Sequence, residues 1–261
     1  MSINVIRIDE YAYLSPLRDV HPGEKIFFSL STMLLVLAMD SVLISGIVLV
    51  GMSLIIVWRA GVDYGYFLKL LSIPIGFLLL GCLAVLFSVS LNEARYDHFV
   101  RIGAVFIGVT SDSVWKAVLL FTRSIAAVVC LYMLILTTPV NHIICILQRV
   151  RMPAIIINLM VLIYNNIFVF VKSADEIYIA QVSRYGYHGW SGQIRSLSLL
   201  CNNLFVKSLK ASNDAFNGMI SRGFDGELKI ADEVFETKAG NIAATVILNC
   251  LLITIYLSGR V

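Results

Sequence analysis

The sequence predicts an all-α integral membrane protein, with about five transmembrane helices and a cytoplasmic block of about three amphipathic helices. Three observations carry that expectation. The 261 residues are 59% apolar and 14% charged, against about 25% charged in a soluble domain, and mean hydropathy is +0.86. Long stretches are almost free of charge, as a bilayer core of roughly 30 Å requires. Finally, ten of the twenty Lys and Arg residues fall within 139–238, a bias that places this block in the cytoplasm.

Residues 1–25 are polar ahead of any apolar run, so they read as a cytoplasmic N-terminal segment and not as a cleavable signal peptide. From Ile26 to Trp58 one formal charge, Asp40, interrupts 33 residues. A single helix of that length would span about 50 Å, so two short spans turning near Asp40 fit better. A third span covers about 68–91 and tolerates Pro74, Gly76 and Gly81 because neighbouring helices can re-satisfy the freed backbone. Asn92–Ser113 reads as an external loop or hairpin. A fourth span, about 115–138, ends at Thr137-Thr138-Pro139, where proline disfavours further helix. The last span, about 240–258, carries no formal charge. The division is thus 1–25, then transmembrane helices over 26–138, a cytoplasmic block of helices over 139–238, and a last helix with the C-terminus over 239–261. With five spans the N-terminus is cytoplasmic and the C-terminus external.

Within the block, a short helix over 141–150 puts Ile143, Ile144 and Leu147 on one face. A long helix begins with Pro153 at its first position and runs to about Tyr185. Its first half, 154–171, is greasy enough for a sixth span, but Asn158, Asn165 and Asn166 argue for burial against other protein. Lys172 and Glu176 form an i,i+4 pair in this reading. A third helix over 193–222 carries Phe205, Leu209, Phe216 and Met219 at helical spacing. Gly223 supplies its left-handed C-cap, so Arg222 occupies the final turn and complements the helix dipole.

Composition and motifs exclude several classes. A net charge of +3 is too small and dispersed for nucleic acid. Cys82, Cys130, Cys145, Cys201 and Cys250 show no metal-like spacing, and four of them sit in apolar stretches that suit inert, buried thiols. His21, His98, His142 and His188 are scattered. No phosphate loop, Ser-His-Asp set or metal motif is visible, so neither an enzyme nor a metal site is expected in this chain.

Two constellations remain. Ser183-Arg184-Tyr185 and Ser221-Arg222-Gly223 place an arginine at each of two helix ends. They read either as ordinary helix punctuation or as handles for a soluble partner, for which a guanidinium is directional in a way that an ammonium is not. Arg123 lies inside the fourth span, where insertion costs about 2.5–3.5 kcal/mol. Structural pairing with Asp40 or Glu93 is expected ahead of substrate contact.

Four stretches form an ordered set: residues 8–17, IDEYAYLSPL, with His21-Pro22-Gly23-Glu24-Lys25; Leu136-Thr137-Thr138-Pro139; residues 180–187, AQVSRYGY; and residues 221–226, SRGFDG. On these the chain resembles the transmembrane T component of energy-coupling factor transporters, specifically the cobalt-transport permease of the CbiQ type. It departs from that family at Tyr164-Asn165, where Tyr-Arg is common. The resemblance implies a non-catalytic subunit in a multi-pass cell membrane. Two ATPase subunits would hold ATP, and a separate membrane subunit would capture Co2+. Arg184 and Arg222 would each dock in a groove on one ATPase. Nickel-importing relatives look alike, so the ion is not fixed by this chain. An autonomous secondary transporter would need an internal repeat, and none is present.

Overall fold

The computed structural model describes residues 3–86, 88–90, 98–102, 105–224 and 239–258, with side chains from Ile8 onward and outside 87–109 and 225–239. Nine helices and a small sheet are seen among them. The chain divides into two compact units: residues 10–139 with 235–261, and residues 1–9 with 140–234.

The first unit is a bundle of α2 (Pro22–Ala38), α3 (Val42–Leu54), α4 (Tyr64–Leu86), α5 (Ser111–Thr137) and α9 (Ala239–Ser258). The last turn of α3 widens into a π-helix over Ile55–Arg59, where Ala60 N–H donates five residues back to the Ile55 carbonyl (2.9 Å). The α2–α3 break falls at Asp40, as the charge there predicts. At 1.5 Å per residue α2 is about 25 Å long. Among the described residues, five helices are long and apolar enough to cross a membrane: α3 with its π turn, α4, α5, α9, and α7 (Ala154–Ser183) of the second unit. Helix α7 was not expected to span, while α2, expected as the first span, is not among them.

Helix α5 is the axis of the bundle and packs against α2, α3 and α4. Its buried positions Ile125, Ala126, Val129, Cys130, Met133 and Leu136 recur every three or four residues, which makes one stripe face its neighbours. Val36, Ile44, Val48, Met52, Ile56 and Phe67 fill the space opposite. Helices in lipid gain little from the hydrophobic effect between themselves, so polar contacts matter. The Ser29 hydroxyl donates to the Cys130 carbonyl, Tyr132 to the Leu70 carbonyl (3.2 Å), and the Asn249 amide to Ser31 Oγ (2.9 Å).

The polar stretch ahead of α2 acts as a fastening. His21 caps α2 by accepting the Gly23 N–H at Nδ1 (3.0 Å), with Pro22 at the first helical position. Lys25, 4% exposed, donates from Nζ to the carbonyls of Leu17 (3.0 Å), Arg18 (3.5 Å) and Thr137 (2.8 Å). One ammonium thus ties the N-terminal turn to the end of α5. Glu24 accepts from the Asn241 amide of α9 (2.8 Å).

Between α4 and α5 the region expected to be a loop or hairpin holds three short antiparallel strands, β1 (Ser88–Ser90), β2 (His98–Ile102) and β3 (Val105–Val109), in the order β1-β3-β2. Val89 pairs with Ile107 and Val100 also pairs with Ile107, from opposite sides. Glu93 lies outside the described residues.

In the second unit α6 (Val140–Arg149), α7 and α8 (Gly189–Ser221) follow one another. Pro153 caps α7 from outside, its carbonyl accepting the Ile156 N–H (3.0 Å), and does not open the helix as expected. Helix α8 begins four residues earlier than the pattern suggested. The expected Lys172–Glu176 pair is replaced by one across helices. Glu176 reaches Lys207 of α8 at 3.9 Å, a longer-range partner that two half-exposed side chains can choose freely. Nor is α7 buried within this chain: of its thirty residues only Ile157 and Ser173 are buried. Asn166 satisfies its amide on its own helix, donating to the Leu162 carbonyl (2.7 Å). Of the cysteines, only Cys82 and Cys130 are buried, while Cys201 and Cys250 are exposed.

Candidate functional site

The two arginine motifs fold into the same local structure. Arg184 is the C-cap of α7, with φ −100° and ψ 18°, and Arg222 is the C-cap of α8, with φ −98° and ψ 10°. The next residue is left-handed in both cases, Tyr185 at φ 57° and Gly223 at φ 77°. The Tyr185 N–H returns to the Val182 carbonyl (3.0 Å) and the Gly186 N–H to Gln181 (2.9 Å). The Gly223 N–H likewise returns to Ile220 (3.0 Å) and the Phe224 N–H to Met219 (3.1 Å). These are two Schellman motifs, each using two carbonyls that a helix end would otherwise leave open. The serine before each arginine is also used alike. Ser183 Oγ donates to the Ile179 carbonyl (2.9 Å) and Ser221 Oγ to the Asn217 carbonyl (2.8 Å), four residues back.

The consequence is a fixed backbone with a free side chain. Ser183, Arg184, Tyr185, Ser221, Arg222 and Gly223 are all exposed. Among the described residues neither guanidinium has an ion-pair or hydrogen-bond partner. The positions cluster in two groups, not one. The first sits at the α7–α8 turn and the second at the far end of α8, whose 33 residues measure about 50 Å.

The first end is buttressed by side-chain contacts that the second lacks among the described residues. Gln181 donates from Nε2 to the Ser196 carbonyl (3.0 Å) and accepts from the Tyr187 hydroxyl (2.8 Å), while Ser196 Oγ donates to the Gly186 carbonyl (2.6 Å). Space is tight here. A Cβ on Gly186 would stand 2.8 Å from Ser196 Oγ and 2.9 Å from the Gln181 carbonyl oxygen. A Cβ on Gly192 would stand 3.1 Å from the Gly186 carbonyl oxygen. Glycine is therefore needed at 186 for close approach, and Tyr185 carries the left-handed conformation that glycine would adopt without strain. Sequence reading quoted Gln181, Gly186 and Tyr187 within the run 180–187 without giving them this role, and missed Gly192 and Ser196; the two glycines around the turn were the available signal.

In the other unit, Arg123 Nη1 donates to Asp40 Oδ1 at 2.7 Å. Arg123 lies twelve residues into α5, about 18 Å from its start, and Asp40 lies in the turn between α2 and α3. The pair joins the charge in that turn to the charge inside α5. No group of three or more His, Cys, Asp or Glu side chains is placed to hold a metal ion among the described residues.

The chain is similar in sequence to several known proteins. The chain is 34% identical over 230 residues to a candidate fused cobalt transport protein CbiMQ of Methanocorpusculum labreanum, covering 87% of this chain and 38% of that longer protein. It is 27% identical over 227 residues to an uncharacterized protein of Methanocaldococcus jannaschii, covering 84% of it. Over 202 residues it is 28% identical to the cobalt transport protein CbiQ of Salmonella typhimurium, covering 89% of it. The family model for CbiQ, cobalt transport protein, matches residues 14–231. A helical membrane bundle with two arginine-capped helices in the matched region therefore belongs to the CbiQ family of cobalt transport proteins.

Proposed function

We propose that this chain is the non-catalytic coupling subunit of an energy-coupling factor importer for cobalt ions. It converts movements of two cytoplasmic ATPase subunits into movements of a separate membrane subunit that captures Co2+. The observation that carries the reading is the pair of matching Schellman ends, each holding a free guanidinium on a fixed backbone. Their separation by a whole helix suits two partner molecules better than one pocket. A guanidinium entering an acidic groove forms bidentate bonds to carboxylate. Nucleotide-driven closure of an ATPase pair then biases a two-state arrangement of α7 and α8. The ion itself is held by the separate capture subunit. Apolar side chains that this chain leaves exposed on α7 and α8, among them Ile155, Leu159, Ile163, Phe205 and Leu209, suit the membrane partner.

The test is co-expression with ATPase and capture subunits. Arg184→Ala and Arg222→Ala are expected to insert normally, yet to weaken ATPase co-purification at least about tenfold, the loss of one charge-assisted contact, and to lower Co2+ uptake in parallel. Wild-type co-purification and uptake in both variants would end the proposal. Competition between Co2+ and Ni2+ in the same vesicles assigns the ion.

A further inference from the structure

The bundle leaves a crevice between α2, α3 and α9. Its wide mouth is a cavity of about 360 Å³, bordered by Glu24, Lys25, Arg59, Asn241 and Thr245 and floored by Phe28 and Ile55. A second cavity of about 140 Å³ continues from it, sharing Phe28, Ile55 and Leu248. Beyond these it is lined by Ile47, Val48, Gly51 and Leu251, with almost no polar surface. The crevice is therefore charged at one end and almost entirely apolar along the other, where Thr32 is the polar side chain.

The charges at the mouth are not equivalent. Lys25 spends its ammonium on three carbonyls, and Glu24 accepts from Asn241. Arg59 is exposed and has no ion-pair partner among the described residues. Its neighbour Trp58 is 84% exposed, and an exposed tryptophan beside a basic residue marks the headgroup level of a bilayer. Basic pockets between transmembrane helices hold lipid headgroups, and each buried methylene of a lipid chain adds to binding.

We infer that this crevice is a phospholipid site, with the lipid phosphate on Arg59 and one acyl chain in the slot between α2, α3 and α9. A lipid seated there fills the seam along which α9 meets the rest of the bundle.

The test uses purified, delipidated protein in detergent, with dioleoyl phosphatidylglycerol as the probe. Bound lipid is counted by native mass spectrometry, and thermal unfolding is followed with and without it. Wild type is expected to retain one phospholipid and to unfold at higher temperature when it is added. Arg59→Gln is expected to weaken retention at least about tenfold, the loss of one charge-assisted contact, with Arg59→Lys between the two. Gly51→Leu addresses the slot alone. A Cβ there meets nothing within 4 Å and Gly51 lines the slot, so the longer side chain narrows the channel. Retention should fall without any change in charge, while helix content, followed by circular dichroism, stays at the wild-type level. Equal retention by wild type, Arg59→Gln and Gly51→Leu overturns the proposal. A thermal shift from inorganic phosphate equal to that from the lipid overturns it in favour of an ion site. Retention lost in Arg59→Gln but unchanged in Gly51→Leu overturns the acyl-chain placement.

Discussion

Replacing Gly186 by alanine should unfasten the α7–α8 turn, and the size of the effect follows from the atoms it displaces. The new Cβ would meet Ser196 Oγ at 2.8 Å and the Gln181 carbonyl oxygen at 2.9 Å. Ser196 Oγ can swing away, but the Gln181 carbonyl is backbone and already accepts the Gly186 N–H. Relieving the clash therefore breaks the bond from Gly186 N–H to Gln181 and the bond from Ser196 Oγ to the Gly186 carbonyl. At about 1 kcal/mol each, the local loss is roughly 2 kcal/mol. That corresponds to about 30-fold faster amide exchange of peptides covering 181–196 if exchange follows local opening. Tyr185→Gly acts in the opposite direction at the adjacent residue. It relieves a left-handed tyrosine costing about 1–2 kcal/mol, offset by about 0.5–1 kcal/mol of added backbone freedom in the open state. The Tyr185 ring is 83% exposed, so little packing is lost. Hydrogen–deuterium exchange in detergent measures both. Wild-type exchange in Gly186→Ala would refute the close-approach account, and faster exchange in Tyr185→Gly would refute the strain account.

Three further outcomes follow from the same geometry. Gly223→Ala should cost only about 1 kcal/mol in exchange protection at the end of α8, since its φ of 77° is strained for alanine but its Cβ meets nothing within 4 Å; a loss as large as that of Gly186→Ala would contradict the distinction. Asp40→Asn should lower thermal stability by about 1 kcal/mol, the scale of a partly exposed pair with side chains 29% and 68% exposed; in a double-mutant cycle Arg123→Gln should then cost little more, and additive losses would show that the pair does not couple. Tyr164→Phe removes the hydrogen bond from the Tyr164 hydroxyl to Asp9 Oδ2 (2.6 Å), and exchange in α1 (Ile3–Leu14) should rise about five- to tenfold; unchanged exchange would show that Asp9 does not anchor that helix.

What could be read in the sequence was set by long-range physical constraints. Asp40 marked the α2–α3 break because a lone charge inside 33 apolar residues has few other places to go. Gly223 marked the end of α8 because a left-handed residue favours glycine. The start of α8 was missed because Gly189-Trp190-Ser191-Gly192 looks like a loop. Gly192 is inside the helix, where its missing Cβ admits the Gly186 carbonyl, and close approach leaves no periodic signal. The same blindness hid Tyr185, since glycine sits beside it and would be expected to take the left-handed position. Lys25 was legible as a charge before an apolar run, but its three carbonyl partners come from residues as far away as Thr137. Contacts of that span have no local signature in a single sequence.

The two units spend their polar groups differently, and that difference bears on the proposed role. In the bundle, polar side chains are largely consumed internally: Lys25 on three carbonyls, Glu24 on Asn241, Arg123 on Asp40, Asn249 on Ser31. In the helical block, polar contacts fix the backbone at the ends of α7 and α8 and, among the described residues, leave Arg184 and Arg222 without an ion-pair or hydrogen-bond partner. A fixed end can pass on a push only if the joint behind it does not yield. The Gln181–Gly186–Ser196 contacts supply that stiffness at the α7–α8 turn, so a displacement delivered to Arg184 should move α8 and not bend the turn. Contact and transmission are then separable. Arg184→Ala should lose both ATPase association and Co2+ uptake. Gly186→Ala keeps the guanidinium and Arg222 intact, so it should retain most ATPase co-purification while uptake falls by an amount comparable to that in Arg184→Ala. If Gly186→Ala instead transports at the wild-type rate while its turn exchanges faster, the turn is not the element that carries the movement, and the rigid-joint account fails even if docking by the arginines holds.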